Sequence, residues 1–355
     1  MTAPSGSYMS PRNGAEPLLT VDDLHTYLAT GQGVVRAVDG VSFTVGEAEV
    51  VGIVGESGCG KTVTCRTIMG LMPKRTAFST GKVIYHPLGT GSILDLPQSD
   101  MQRLRGAHLA MIFQDPMTAL NPVRSIGDQL IEAVTAHANL TRQAARERTV
   151  ELLTRVGIPA PIRRMRDYPF QFSGGMLQRA LIAIALASAP KLLLADEPTT
   201  SLDVIIQDQI LSLLLDLQRD SDMSLVLVSH DLSVVAQVCD RVAVMYAGQV
   251  VELSTVDEVL RSPKHPYTAA LLQSLPSAVP RDQPLATITG TPPQLVNLGT
   301  GCRFADRCQF AQDKCRSWDS ELIEVAAGHG ARCVRSHEID LRVAARTTPF
   351  EEENA

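Results

Sequence analysis

The chain has 355 residues and a formal net charge of −6, with 45% hydrophobic and 20% charged residues. This length and composition indicate a globular protein with one large α/β domain and a smaller appended element. The acidic balance and the 4% aromatic content exclude the basic, base-stacking surface of a nucleic-acid-binding protein.

The ends of the chain and its longest apolar run predict neither a leader nor a spanning helix. Residues 1–17 lack an apolar core, so they are read as a disordered tail rather than a secretory signal, and residues 341–355 as an acidic tail. The run Leu181–Ala195 is interrupted by Pro190 and Lys191 and is shorter than the roughly 20 residues of a membrane helix. We therefore expect a cytoplasmic protein that meets the membrane through partners.

Apolar patterning predicts an α/β core with a helical insertion between about 118 and 180, which contains a candidate N-cap at Thr141. The core is expected within 18–262, and an irregular Pro-rich element within 263–340. A helix is expected after residue 61, and Gly81 is expected to begin a pair of strands. The other predicted strands are Leu18–Leu24, Ala37–Val45, Val50–Val54, Leu109–Phe113, Leu192–Ala195, Leu225–Val228, Val242–Met245 and Val250–Leu253.

A phosphate-binding loop is predicted between the apolar strand Val50–Val54 and the following helix. Its sequence fits G-x-x-x-x-G-K-[ST], and a chance match is disfavoured by this strand–loop–helix context. Lys61 should reach the β- and γ-phosphates of a nucleotide, and Thr62 should bind Mg²⁺. The residues of the loop are Gly55, Glu56, Ser57, Gly58, Cys59, Gly60, Lys61 and Thr62.

The thiol of Cys59 lies at the start of that helix. A helix N-terminus lowers the pKa of a thiol, so we expect Cys59 to be reactive and its alkylation to block ATP binding.

Two adjacent carboxylates, Asp196 and Glu197, follow the apolar strand Leu192–Ala195. Such a pair alone is often a solvated strand end. Beside a phosphate-binding loop in the same chain, Asp196 is predicted to hold Mg²⁺ and Glu197 to polarise the attacking water.

A second Ser-Gly-Gly element, Ser173, Gly174 and Gly175, begins a predicted helix that continues through Gln178. Small residues at a helix N-terminus make an anion site, although a simple turn with an N-cap is the alternative. Since the chain already has a phosphate-binding loop, a second site predicts a head-to-tail dimer with two ATP molecules at its interface.

Phe172–Met176 and Asp196–Thr200, read as Phe-Ser-Gly-Gly-Met and Asp-Glu-Pro-Thr-Thr, resemble the D-type ATP-binding subunits of oligopeptide/dipeptide ABC importers. The resemblance extends over about 18–340 and includes 265–272 and Gly301–Phe304. It implies a P-loop ATPase core with an antiparallel β subdomain and a helical signature subdomain, plus a small irregular cysteine-containing C-terminal element.

The same resemblance implies roles for further residues. Gln114 would sense Mg²⁺ and the membrane partner, His230 would contact the γ-phosphate, and Tyr27 would stack on adenine. Ser201–Asp203 matches the loop that crosses to the opposite subunit, where the Ser-Gly-Gly element would contact ATP.

Four cysteines near the end of the chain have the spacing C-x5-C-x6-C-x17-C. Structural zinc sites usually pair cysteines two to four residues apart, so an iron–sulfur cluster fits this wider spacing at least as well. Some members of the family have a [4Fe–4S] cluster there; zinc and four free thiols are the alternatives. The candidate ligands are Cys302, Cys308, Cys315 and Cys333.

The resemblance implies an ATP hydrolase at the cytoplasmic face of the inner membrane. The expected partners are a paralogous ABC ATPase subunit, two transmembrane permease subunits and an extracytoplasmic solute-binding protein, without nucleic acid. A soluble ABC ATPase of translation or DNA repair is the main rival, an exporter ATPase and a purely regulatory nucleotide-binding module are weaker ones, and a nickel chelate or glutathione is a possible cargo.

Overall fold

The computed structural model describes residues 10–11, 16–200, 202–275, 287–296, 298–318 and 320–342. Most of the two predicted tails and Ser201 lie outside these residues. The strands are β1 (Pro17–Thr30), β2 (Gly33–Gly46), β3 (Val50–Val54), β4 (Ala77–Tyr85), β5 (Leu109–Ile112), β6 (Leu192–Asp196), β7 (Ser224–Ser229), β8 (Arg241–Tyr246), β9 (Gln249–Thr255), β10 (Ile323–Ala326) and β11 (His329–Ala331).

The α-helices are α1 (Lys61–Ile68), α2 (Gln98–Ala107), α3 (Pro116–Ala119), α4 (Ile126–Ala136), α5 (Arg142–Arg155), α6 (Pro161–Arg164), α7 (Gly174–Ala185), α8 (Val204–Ser221), α9 (Leu232–Val238), α10 (Val256–Arg261), α11 (Pro266–Gln273) and α12 (Asp313–Ser317). Five consecutive helices, α3 to α7, lie between β5 and β6, and single helices separate most of the other core strands.

The chain forms two compact units, both discontinuous in sequence. Unit 1 comprises 1–46, 50–94 and 229–355, and unit 2 comprises 47–49 and 95–228. The domain boundaries expected from the sequence, 18–262 and 263–340, stay predictions.

Unit 1 contains an antiparallel sheet and a mixed sheet. Strands β2-β1-β4 form the antiparallel sheet. In this unit the mixed sheet has the order β10-β11-β9-β8-β3. Strands β8 and β3 are parallel, and the pairs β10–β11, β11–β9 and β9–β8 are antiparallel. Strand β3 is buried along its whole length, as its unbroken apolar run requires.

The expectation that Gly81 begins a pair of strands is wrong. Gly81 lies inside a single strand, β4, and a 3₁₀ turn at His86–Leu88 follows that strand. A side chain at position 81 would meet the carbonyl oxygen of Asp23 at 2.2 Å, and φ of Gly81 is +93°. The glycine therefore marks a close backbone approach inside the sheet rather than a turn.

The C-terminal element is more regular than its Pro-rich sequence predicts. It contributes α11, α12 and the hairpin β10–β11, and β11 pairs with β9 of the mixed sheet. Its Tyr267 and Phe304 belong to the same hydrophobic core as Tyr246 of β8, with ring centroids 4.6 to 5.4 Å apart. The C-terminal element is thus part of the core of unit 1.

Unit 2 contains the parallel strands β7, β6 and β5 in that order, with helices α2 to α8. The predicted helical stretch begins its main helices at hydroxyl caps. Ser125 and Thr141 accept the backbone N–H groups of Asp128 and Ala144 at 3.1 and 3.2 Å. These caps satisfy donors that the first helical turn leaves unpaired.

Candidate active site

The predicted site residues are divided between the two units. Tyr27, the phosphate-binding loop and His230 belong to unit 1, whereas Gln114, Asp196, Glu197, the Ser-Gly-Gly element and Asp203 belong to unit 2.

The loop Gly55–Gly60 connects β3 to α1, as the sequence predicts. Lys61 is 4% exposed, and its Nζ donates to the carbonyl oxygens of Gly55 at 2.8 Å and Glu56 at 3.2 Å. The ammonium group therefore lies under the loop that it is predicted to serve. Loop N–H groups and a lysine held in this way form a preorganised anion site.

Two glycines of the loop are required by close packing. A Cβ at Gly55 would lie 2.1 Å from the carbonyl oxygen of Met245, and one at Gly60 would lie 2.2 Å from that of Ala37. Gly60 also has φ +105°, a backbone conformation that residues other than glycine rarely adopt. The loop thus packs directly on β8 and β2, and it could not keep this path with larger side chains.

The expected lowering of the Cys59 pKa is wrong, whereas a block of ATP binding by alkylation of Cys59 stays a prediction. Burial raises the pKa of the Cys59 thiol, and the favourable field of Lys61 does not offset this effect. The side chain is 4% exposed. Desolvation of the thiolate outweighs the position at the helix start.

We accordingly expect Cys59 to react slowly with iodoacetamide in the folded protein. Mass spectrometry after labelling, with and without urea, checks this: modification should require unfolding. Labelling of Cys59 in the native chain at the rate of a free thiol would contradict the burial argument.

Tyr27 lies in β1 and is half-buried. Its hydroxyl donates to Oδ1 of Asp39 at 2.9 Å and lies 3.1 Å from Nδ1 of His25. His25 also hydrogen-bonds to Asp39, with Nδ1 3.0 Å from Oδ1. This bond raises the pKa of His25, against the effect of burial. The phenol end of Tyr27 is thus fixed by a charged network, which orients the ring. Stacking on adenine stays a prediction.

Unit 2 brings Gln114 and Glu197 together. Asp196 ends β6 fully buried, and Glu197 follows with φ +46°, an unusual conformation for a residue with a side chain. Oε2 of Glu197 accepts from Nε2 of Gln114 at 3.2 Å and from Oγ1 of Thr200 at 2.8 Å. Local strain of this kind persists where the surroundings fix it, commonly at functional sites. The carboxylate is therefore oriented at the carboxyl end of a parallel sheet.

Thr200 was not among the residues that the sequence singled out for a role. Its place three residues after Glu197 was the available signal, since it lies within the Asp-Glu-Pro-Thr-Thr motif.

The Ser-Gly-Gly element begins α7 as predicted. Ser173 is the N-cap, its Oγ accepts the N–H of Met176 at 3.4 Å, and Ser173 and Gly174 are exposed. Gln178 differs from them because it is 1% exposed. A nucleotide that reached the exposed start of α7 would not touch Gln178 without a movement of the helix.

Asp203 and His230 are both exposed. Asp203 is the N-cap residue of α8, and His230 comes directly after β7. Val204 and Ile205, the first residues of α8, are each 73% exposed. This helix start presents an apolar surface together with the Asp203 carboxylate.

The four C-terminal cysteines line one cavity, together with Phe304, Phe310 and other residues of the C-terminal element. None of the seven thiols is in a disulfide. Burial raises the pKa of Cys302 to about 11 and of Cys333 to about 12. In the described part of the chain, no group of three or more His, Cys, Asp or Glu side chains is arranged to hold a metal ion.

The chain also matches known families and proteins. A family model described as ABC transporter matches residues 38–200, and one described as Oligopeptide/dipeptide transporter, C-terminal region, matches residues 251–315. The dipeptide transport ATP-binding protein DppD of Bacillus subtilis is 49% identical over 320 residues, which are 90% of this chain and 94% of DppD. The chain belongs to the ATP-binding subunits of oligopeptide/dipeptide ABC transporters.

A probable peptide ABC transporter ATP-binding protein of Sinorhizobium fredii, y4tR, is 47% identical over 92% of this chain and 97% of its own length. Among solved structures, a dimeric post-hydrolysis state of the ATP-binding cassette MJ0796 with ADP and Pi has a TM-score of 0.60 and 25% identity, covering 67% of this chain and 98% of that one. The cassette CbiO1 of Clostridium perfringens has a TM-score of 0.57 and 27% identity over 69% of this chain and 90% of that one.

Membership of this family confirms the predicted α/β cassette fold and makes the chain an ATP hydrolase coupled to transmembrane transport. An importer subunit of this kind associates with the membrane peripherally. Within the described residues, every helix is too short or too polar to cross a bilayer.

Proposed function

We propose that this ABC subunit hydrolyses MgATP to power the uptake of di- or oligopeptides through partner permeases. The observation that supports the cargo best is the C-terminal match at residues 251–315, which accompanies the cassette match. The names of DppD and y4tR, a dipeptide and a peptide transport protein, agree with it.

In the proposed reaction, Lys61 and the N–H groups of its loop bind the β- and γ-phosphates. By the family resemblance, Thr62 and Asp196 would each be a ligand of Mg²⁺, and the ion would neutralise charge on the phosphates. Glu197 accepts a proton from the attacking water, and Gln114 and Thr200 keep its carboxylate in place. The N–H donors of the loop and the lysine stabilise the charge that develops on the γ-phosphoryl group.

Two further residues complete the proposed site. His230 contacts the γ-phosphate, and Tyr27 stacks on the adenine ring. The fixed phenol hydroxyl of Tyr27 supports the second role, because an oriented ring loses less entropy on binding.

The ATP-bound form is proposed to be a head-to-tail dimer with a paralogous ATPase subunit. The exposed Ser173 and Gly174 at the start of α7 would contact ATP on the partner subunit, and Asp203 would cross the interface. The exposed apolar start of α8 supports an interface at this position. ATP then closes the dimer, and hydrolysis opens it.

The remaining proposed partners are two transmembrane permease subunits and an extracytoplasmic solute-binding protein. The ATPase would lie at the cytoplasmic face of the membrane, bound to the permeases.

Uptake of a radiolabelled dipeptide by host cells tests the cargo. Deletion of the gene should abolish uptake, the wild-type gene should restore it, and the variant Glu197→Gln should not. Nickel and glutathione uptake, measured in the same cells, serve as controls and should not change. Unchanged dipeptide uptake in the deletion strain, with lost nickel or glutathione uptake, would overturn the peptide assignment.

We also propose that Cys302, Cys308, Cys315 and Cys333 bind a [4Fe–4S] cluster, with zinc as the alternative metal. The four thiols line one apolar cavity, which supports the proposal by their chemistry, although the described side chains are not gathered into a metal-binding arrangement. Backbone N–H groups near the sulfurs of Cys302, Cys308 and Cys333 favour the thiolates, against the larger effect of burial, which raises the pKa of all three. Thiolate ligands stabilised by such donors are typical of iron–sulfur proteins.

Anaerobically purified protein should therefore contain iron and acid-labile sulfide, about four of each per chain. Cys308→Ala should lose most of both, because one ligand is removed. Cys239→Ala is the matched control, since Cys239 does not line the cavity. Zinc without sulfide would overturn the cluster proposal.

A further inference from the structure

The second residue of the phosphate-binding loop, Glu56, is held by an arginine of the C-terminal element. Nη1 of Arg307 donates to Oε2 of Glu56 at 2.7 Å, and Nη2 donates to Oε1 at 3.1 Å. The side chain of Arg307 is 6% exposed and that of Glu56 is 24% exposed. A forked pair of this kind, largely shielded from water, is both strong and directional.

Arg307 is itself fixed by its surroundings. Its Nε donates to the carbonyl oxygen of Thr289 at 2.9 Å, and Nη2 lies 3.4 Å from that of Ile288. Its guanidinium carbon is 5.8 Å from the ring centroid of Tyr246 and 5.9 Å from that of Phe304. Nη1 also donates to the hydroxyl of Tyr246 at 3.3 Å, so every guanidinium nitrogen has a hydrogen-bond acceptor. A single ammonium group could not make the same set of contacts.

The backbone of Glu56 is held from the same direction. Its N–H donates to the hydroxyl of Tyr267 at 2.9 Å, and Tyr267 is fully buried against Tyr246 and Phe304. Both the main chain and the side chain of Glu56 are therefore bonded to the C-terminal element.

A second arginine of the same segment supports the other side of the loop. Arg303 donates to the carbonyl oxygen of Ala247 and forms an ion pair with Asp39. The next residue, Gly248, donates its N–H to the carbonyl oxygen of Cys59 at 2.9 Å. Arg307 thus contacts the loop directly at Glu56, whereas Arg303 reaches its Cys59 end only through Ala247 and Gly248.

The charge of Glu56 makes this arrangement matter for nucleotide binding. A carboxylate in a loop that surrounds triphosphate would repel it, unless a cation neutralises the carboxylate. Nζ of Lys61 also donates to the carbonyl oxygen of Glu56 at 3.2 Å, so a shift of Glu56 would move an acceptor of the phosphate-binding lysine.

We propose that Arg307 is a positioning residue for ATP: it holds the Glu56 segment of the loop in its binding conformation and neutralises the Glu56 carboxylate. The proposal rests on the proposed role of this loop in binding phosphate. It makes the C-terminal element a part of the nucleotide-binding machinery rather than only an appendage.

The test compares Arg307→Ala, Arg307→Lys and the double variant Arg307→Ala/Glu56→Gln in the assembled transporter. Arg307→Ala should raise the KM for ATP about tenfold, with kcat changed by less than about threefold, because the chemistry does not involve Arg307. The double variant should recover about threefold of this loss, since the unpaired carboxylate is gone, and the lost fork should account for the remaining threefold. The defect of Arg307→Ala should shrink at high salt, which screens the repulsion.

Arg316→Ala is the matched control, because Arg316 lies in the same element with a 54% exposed side chain. An unchanged KM in folded Arg307→Ala, or a loss confined to kcat, would overturn the proposal. Should Arg307→Ala fail to fold, Arg307→Lys decides. It keeps the charge but loses the fork, so its KM must rise at least about threefold.

Lys61→Ala distinguishes a failure of the proposed phosphate-binding loop from a failure of the positioning role of Arg307. If Lys61→Ala binds ATP normally, the loop does not bind phosphate and the proposed function of the loop fails. If Lys61→Ala loses ATP binding while Arg307→Ala keeps the wild-type KM, only the positioning role fails.

Discussion

Glu197→Gln should bind ATP with near wild-type affinity and lose at least about 100-fold in steady-state turnover. Gln keeps the size of the side chain and an oxygen that can accept from Gln114 or Thr200, whose donors lie 3.2 and 2.8 Å from Oε2. It cannot accept a proton from water. A 100-fold loss corresponds to about 2.7 kcal/mol of transition-state stabilisation.

Phosphate release measures this turnover, and gel filtration with ATP measures the expected accumulation of the closed dimer. Glu47→Gln, an exposed glutamate of the same unit, is the matched control and should behave as wild type. Ordinary turnover in Glu197→Gln would refute the assignment of Glu197 as the base.

Lys61→Ala should weaken ATP binding by at least about 100-fold, or about 2.7 kcal/mol. The ammonium group is buried beneath the loop and donates to two of its carbonyl oxygens, so its loss removes both a phosphate contact and a support of the loop. Isothermal titration calorimetry with MgATP measures the change.

Lys74→Ala is the control for this substitution, because Lys74 is an exposed lysine of the same unit. A melting temperature measured without nucleotide establishes that Lys61→Ala is folded. A folded Lys61→Ala with the wild-type dissociation constant would show that the nucleotide is held elsewhere.

Local patterns explain why much of the fold could be predicted. Val50–Val54 is a short apolar run that favours a buried strand, and it is followed by glycines that a tight loop requires. The caps at Thr141 and Ser173 are likewise encoded within three residues of the groups that they satisfy. Where a structural feature is set by neighbouring residues, the local sequence pattern is enough to predict it.

The features that could not be predicted depend on distant residues. The pair formed by Arg307 and Glu56 joins positions 251 residues apart, and nothing near either residue indicates it. The raised pKa of Cys59 comes from burial in the packed fold. Its position at the start of a helix gives no information on that burial. A glycine such as Gly81 is typical of turns, but here it allows a close backbone contact with β1. The sequence of β4 alone does not indicate which strand packs against it.

The central claim is that this chain powers an importer, and affinity purification from detergent-solubilised membranes of its own host tests it most directly. Mass spectrometry should find two polytopic permease subunits and a second ABC ATPase bound to the tagged chain. A peptide-binding extracytoplasmic protein should accompany them. Ribosomal or DNA-repair proteins, with no membrane protein, would contradict the transport assignment.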